Sequence, residues 1–426
     1  MKIKLQTFSQ KVLPLNTFLF FLTNCIWQLI LFKMIFLNAP ITYEDMRYIS
    51  ALVDSNQNFS LALISKSISQ PYIFICSFFN FFIANPIFSI RIVSLISGIG
   101  LLVFLCNYFE KNKFIEFIPS NKYLNKLIVF NMFFSVLFMM HNHFIGAPDV
   151  LSVAFGLPAF ILLNDVLVNQ KKEKLWLIGL LFALSFTSRP TFLVVLAAYL
   201  FSVVFIYGKR LFSKSLIIVG LFFVLFTGII NFYPLKDQGK LILDVKEIPK
   251  EDGTTWFEMN YVTAKKRDSG EFTRSRWSTI KEAVEFKKQN PVAFPQNHFD
   301  IIRNDTGLFI RQMTWMFIVS IYSSFRYLYF LFPFLLIYPF YKNKKDDKTT
   351  MNIVYFTLIF YFSSLLLFMA FAFKEMEFRW MYMPMLFFTV YSLDLTKNIS
   401  VNKRLLLFNG IFALGTLFFV MKVLMG

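Results

Sequence analysis

Long apolar runs separated by short charged clusters recur along the chain, near 14–37, 87–107, 125–141, 148–168, 175–187, 190–207, 215–233, 313–341, 351–373, 379–395 and 404–424. An α-helix needs about 20 apolar residues to cross the hydrocarbon core of a bilayer. The pattern therefore predicts an all-α polytopic membrane protein with about 11 transmembrane helices, within a range of about nine to thirteen. If the spans alternate, the basic clusters within 111–126, 171–174, 209–214, 342–348 and 397–404 all fall on the side of the N-terminus, which makes that side cytoplasmic. Parity requires two passes in 175–207, a stretch broken at Ser188-Arg189-Pro190. Proline removes a backbone donor and arginine is costly in hydrocarbon, so this break is expected at the outer surface or in a wet cavity.

Two outer segments interrupt the alternation. The first, 38–86, predicts amphipathic or interfacial helices at 43–53 and 61–82, interrupted at 54–60 and at Pro71. The second, a larger loop near 233–305, predicts a lid or small subdomain with a short helix over 278–289 capped by Ser278. The whole of 1–426 reads as a single transmembrane domain carrying these two elaborations.

Composition strengthens this reading. Of 426 residues 57% are hydrophobic and 16% charged, with a mean hydropathy of +0.58. Soluble domains run near ~25% charged, so a soluble enzyme is excluded. The net charge of +18 sets topology in such a chain, and no nucleic-acid partner is expected. Cys25, Cys76 and Cys106 lie in apolar stretches without metal-type spacing and read as packed thiols. Lys2, Lys4 and Lys11 precede an apolar run too long for a signal peptide, which reads as a retained first span.

Four charged clusters are candidates for chemistry. Tyr43-Glu44-Asp45-Met46-Arg47-Tyr48 places two carboxylates and an arginine just beyond the first span, where a carboxylate can act as a general base and Arg47 can meet a head group. His141-Asn142-His143 and Ala147-Pro148-Asp149 occupy the next outer bend. There His143 and Asp149 are candidate substrate contacts, the histidine pair is a weak metal half-site, and Asp149 is equally readable as a helix N-cap. Arg189 needs a partner, and a phosphate or an interhelical carboxylate would each serve. Lys374, Glu375 and Arg379 crowd a hinge whose two cations could clamp a phosphate or, equally, form an ordinary short loop. No Gly-rich phosphate loop or Ser-His-Asp pattern is present.

In this order the clusters resemble the GT-C superfamily of integral membrane glycosyltransferases, which includes protein O-mannosyltransferase-like and aminoarabinose-transferase-like enzymes. Glu44-Asp45 resembles the acidic pair of that family's first outer loop. Gln70-Pro71-Tyr72 running into Asn85-Pro86 and Arg91-Ile92-Val93-Ser94 is similar to the family's entry into its second span. Ala147-Pro148-Asp149 and Thr187-Ser188-Arg189-Pro190 resemble later outer bends. The likeness covers roughly 40–190, and the C-terminal half shares only architecture. The resemblance implies a polyprenyl- or dolichyl-phosphate-linked sugar as donor, a lipid, glycan or protein acceptor, and surrounding membrane lipid. It implies Asp45 as base, with Glu44 orienting it or the acceptor. It further implies that Asp149 positions substrate and that Arg189, Lys374 and Arg379 meet the donor phosphate. A divalent cation at Asp45 and Asp149 is compatible with the family but not required. The Lys- and Phe-rich composition points to a bacterial inner membrane, with the site facing the periplasm or exterior, and an endoplasmic reticulum enzyme has the same physics with lumen in place of periplasm. Two rivals remain: a lipid-linked-substrate transporter or flippase, and a surface-polysaccharide polymerase or ligase relying on Arg274, Arg276, Arg303 and His298.

Overall fold

The computed structural model describes most of 15–36, then 46–54, 69–111, 122–139, 147–169, 174–208, 213–243, 253–273, 276–291, most of 294–328, 331–341, 348–372, 378–396 and scattered positions to 410. Among these residues every regular element is helical. In chain order they are α1 (Thr17–Ile30), α2 (46–54), α3 (Gln70–Ile83), α4 (Pro86–Lys111), α5 (Lys122–Met139), α6 (Asp149–Asn169), α7 (Leu175–Ser188), α8 (Phe192–Tyr207), α9 (Lys214–Ile230) and α10 (Phe232–Gln238). Then come α11 (Trp256–Asp268), α12 (Ile280–Gln289), α13 (His298–Asn304), α14 (Thr306–Leu328), α15 (Leu331–Ile337), α16 (Lys348–Ala372) and α17 (Tyr382–Leu395).

The apolar pattern forms helices where it predicts them, but their lengths do not by themselves bear out the count of about 11 spans. Among the described residues three helices, α4, α6 and α16, are long and apolar enough to cross a membrane, and the number rises to five if the bent pairs α9/α10 and α14/α15 each make one span. This is compatible with a membrane protein. Helices α1, α3, α5, α7 and α8 are apolar but shorter. The 175–207 stretch forms two helices parted at Arg189, whose extended backbone (φ −150°, ψ 114°) ends α7. Pro71 stands in the first turn of α3, where its missing N–H costs nothing, and the stretch 61–68 expected to be helical before it lies outside the described residues. The expected span at 404–424 lies largely outside the described residues.

The chain divides into two compact units, one comprising Met1–Asp244, Ser324–Ser364 and Met381–Gly426, the other Val245–Ser323 and Leu365–Trp380. In the first, α6 packs on α4, α7 and α17, and α7 lies along α9. The abundant phenylalanine finds its use here. Phe160 of α6 meets Phe182 at 4.9 Å, Tyr199 at 4.6 Å and Phe360 at 5.8 Å, and Phe360 meets Phe387 at 5.0 Å. Such tilted aromatic pairs add to the area they bury. Polar clamps fix the register: Asn24 Nδ2 donates to Asn131 Oδ1 at 2.6 Å, and Asn131 Nδ2 donates to the Phe21 carbonyl at 3.1 Å, tying α1 to α5.

Glycines set the closest approaches in this unit. A Cβ at Gly179 would lie 2.5 Å from Phe222 Cβ and 2.9 Å from the Phe223 backbone nitrogen, whereas one at Gly220 would meet nothing within 4 Å. Neither Phe222 Cβ nor the Phe223 backbone can swing aside. Gly179→Ala is therefore expected to destabilise the full chain by about 1–3 kcal/mol, while Gly220→Ala stays near wild type. Melting temperatures in one detergent check both, and an equal effect of the two would contradict the close approach.

The second unit has its own apolar core of Val262, Ala264, Ala283, Ile301 and Leu308 with Tyr261 and Phe294 at its edge. Its helices α11, α12 and α13 start on capping boxes: Thr255 with Glu258, Thr279 with Glu282, and Asn297 with Asp300. The expected cap at Ser278 is displaced by one residue. Thr279 makes the cap, and the Ser278 hydroxyl donates instead to the Met259 carbonyl at 2.9 Å. The Thr279 backbone N–H, its hydroxyl and Arg276 hold the Glu282 carboxyl below the ordinary value of 4.5. Stability from Glu282 is thus present above that ordinary value and is lost as the pH falls through the lowered one. At neutral pH, Thr279→Ala is expected to cost about 1 kcal/mol. Hydrogen exchange across α12 in the full chain should then rise about fivefold, and unchanged protection would contradict the cap.

Candidate functional site

Of the residues singled out by sequence, Glu44, Asp45, His143, Lys374 and Glu375 lie outside the described residues. The structure brings Asp149 and Arg189 together. Asp149 opens α6 and Arg189 follows α7, and Arg189 Nε donates to Asp149 Oδ1 at 3.2 Å. Their side chains are 4% and 8% exposed. Asp149 is thus not the N-cap. The Pro148 carbonyl accepts the first helical bond from Ser152, which places Asp149 in the first turn with its carboxylate turned to the arginine. Of the two partners weighed for Arg189, the interhelical carboxylate is the one observed.

The next turn of both helices repeats the contact with hydroxyls. Ser152 Oγ donates to the Ser185 carbonyl at 2.9 Å, and Ser185 Oγ donates to the Ser152 carbonyl at 2.8 Å. One turn further along α6, Gly156 leaves so little room that a Cβ would lie 2.7 Å from Ser185 Oγ and 2.5 Å from Met383 Cε. Asp149, Ser152 and Gly156 form one stripe at helical spacing, and Ser185 and Arg189 face it, so the two helices run antiparallel with the ion pair at their shared end. Single serines in apolar spans were the readable signal for this clamp, and sequence reasoning passed over them.

Arg47 lies on α2, partly buried, with its guanidinium carbon 6.0 Å from the Tyr48 ring centre. Tyr48, Ala51 and Leu52 of α2 share an apolar cluster with Tyr72 and Cys76 of α3, Ile90 of α4 and Leu151 of α6. Arg47 and Asp149 therefore stand on helices joined through one core. Arg379 is 6% exposed in the 3₁₀ turn Phe378–Met381. Beside it, the Trp380 ring meets Phe368 at 5.6 Å, tilted by 39°; Arg379 and Trp380 both belong to the second unit.

A second polar group escaped the sequence reading. Tyr108 donates to Asp165 Oδ1 at 3.3 Å, and Asn164 Nδ2 donates to the Tyr391 hydroxyl at 2.6 Å, all buried at the far ends of α4, α6 and α17 from Asp149. An aspartate inside the predicted span 148–168 was the available signal.

Two residues of the polymerase reading have structural partners. Arg276 covers the Phe272 ring at 4.2 Å and pairs with Glu282 at 2.8 Å. The His298 ring meets that of Phe257 at 4.9 Å, tilted by 60°. No group of three His, Cys, Asp or Glu among the described residues is placed to hold a metal. Compared with known protein families, curated proteins and solved structures, the chain matches none of them.

Removing one member of a buried ion pair leaves the other charge uncompensated. Asp149→Ala and Arg189→Ala are each expected to cost about 3–5 kcal/mol. Asp149→Leu combined with Arg189→Met should recover most of that loss. A double-mutant cycle on melting temperature measures the coupling, and additive losses would contradict a direct pair.

Proposed function

We propose that the chain is a polytopic membrane glycosyltransferase that moves a sugar from a polyprenyl- or dolichyl-phosphate donor to a lipid, glycan or protein acceptor on the non-cytoplasmic face of the membrane. The observation that carries this reading is the buried Asp149–Arg189 pair, which fixes two of the charges expected at the outer bends at one shared helix end. The ordered series of outer charge clusters from Glu44 to Arg189 supports it. So does the common core that joins the helix of Arg47 to the first turn of α6. In this reading the short helices α7 and α8 complete a bundle of about 11 passes, with the Asp149 end facing the periplasm or exterior of a bacterial cell.

The chemistry is direct displacement with inversion. The acceptor oxygen or nitrogen bonds to the anomeric carbon, the bond from that carbon to the phosphate oxygen breaks, and its electron pair leaves with the polyprenyl phosphate. Asp45 takes the acceptor's proton and Glu44 orients it. Arg189 stabilises the departing phosphate, and the carboxylate of Asp149 holds Arg189 in place for that task.

The test compares lipid-linked sugars and surface glycans by mass spectrometry in cells carrying wild-type protein or Asp45→Asn at matched membrane levels. Loss of a general base lowers the rate by about 10²–10⁴. One glycosylated product is expected to vanish while its polyprenyl-phosphate sugar accumulates. An unchanged profile would remove Asp45 as the base and favour a transporter or polymerase.

A further inference from the structure

Around the end of α7, buried hydroxyls stand without hydrogen-bond partners among the described residues. Ser69 Oγ, Ser188 Oγ and Thr227 Oγ1 are in this state, in residues that are 0%, 0% and 7% exposed. Ser69 occupies the N-cap position of α3 yet makes no capping bond, so its hydroxyl is not engaged by its own helix. The three belong to one neighbourhood. Gln70 Nε2 donates to Asn231 Oδ1 at 3.2 Å, bringing the start of α3 to the end of α9. Asn231 Nδ2 donates to the Thr227 carbonyl at 3.1 Å, and Asn231 Oδ1 also accepts from the Ile242 N–H at 3.0 Å. Asn231 is thus a fully buried brace with its amide in use.

The first turn of α6 ties Ser188 to the start of α3: Asp149 pairs with Arg189, the residue after Ser188, and Leu151 shares an apolar cluster with Tyr72 and Ile73. Helix α7 also lies against α9, where Gly179 faces Phe222 and the Phe186 ring meets Phe223 at 5.8 Å. Helix α3 also packs on α7.

Buried polar groups in folded proteins are nearly always paired, because each unmade bond costs free energy. Three orphaned hydroxyls around one braced amide, beside a charged pair, are the complement of a ligand rich in hydroxyls, each of which can donate and accept. We propose that Ser69, Ser188 and Thr227 form the pocket that binds the sugar hydroxyls of the lipid-linked donor, next to Arg189. This rests on the glycosyltransferase reading and adds to it where the sugar is held.

The test uses the full chain in lipid nanodiscs and four probes: undecaprenyl phosphate and its glucosyl, mannosyl and galactosyl esters. At least one sugar ester is expected to bind wild type about tenfold more tightly than undecaprenyl phosphate, the effect of two hydroxyl hydrogen bonds. The Ser188→Ala/Thr227→Val variant should lose that advantage while its affinity for undecaprenyl phosphate is unchanged. Its ligand-free melting temperature should stay level or rise, since an unpaired buried hydroxyl stabilises nothing. A lower melting temperature with sugar preference intact would make the hydroxyls structural and overturn the pocket. Equal binding of all four probes would overturn the pocket alone. Failure of every polyprenyl phosphate to bind would overturn the pocket and the glycosyltransferase reading together.

Discussion

The first unit depends on how closely α7 approaches its two neighbours. On one side the stripe Asp149, Ser152 and Gly156 of α6 meets Arg189 and Ser185. On the other, Gly179 lets α9 come within backbone distance. Helices that are apolar all round gain little by exchanging one apolar neighbour for another, so small residues and reciprocal polar bonds decide which faces meet. The serine clamp sets the register, and the register places Asp149 opposite Arg189. A slip of one turn, about 5.4 Å, would leave two buried charges unpaired.

That constraint gathers one group of polar features at the end of α7. The end of α7 carries the charged pair, a hydroxyl without a partner and a break at Pro190 that turns the chain into α8. Helix α3 packs on α7 and is tied to the Asn231 brace through Gln70. The far ends of α4, α6 and α17 have a different character, with neutral donors around Asp165 and hydrogen bonds that link tyrosines across helices. A site for an anionic, hydroxyl-rich head group fits the first location better than the second.

The helices were legible in the sequence because apolar periodicity and its breaks are local, and 175–207 parted where Arg189-Pro190 predicted. Span length was less legible, since whether a short apolar helix such as α3 crosses a bilayer or lies along it depends on what it packs against. Helix starts were read to within one residue at α12, where two neighbouring hydroxyls compete and tertiary contacts with Thr263 and Met259 claim Ser278. Asp149 and Arg189 were both visible as costly charges. Their pairing was not, because it joins residues 40 positions apart. The orphaned hydroxyls had no sequence signal at all, since only packing shows which serines lack a partner.

Transfer is separated most directly from its rivals by incubating the purified full chain in nanodiscs with an undecaprenyl-phosphate sugar and a membrane-derived acceptor. Mass spectrometry reads release of undecaprenyl phosphate, and NMR reads the anomeric configuration of the product. Displacement by a base-activated acceptor predicts release coupled to transfer, with the configuration inverted. Transfer with retained configuration would contradict that displacement, and movement of the intact lipid-linked sugar without release would contradict a transferase altogether.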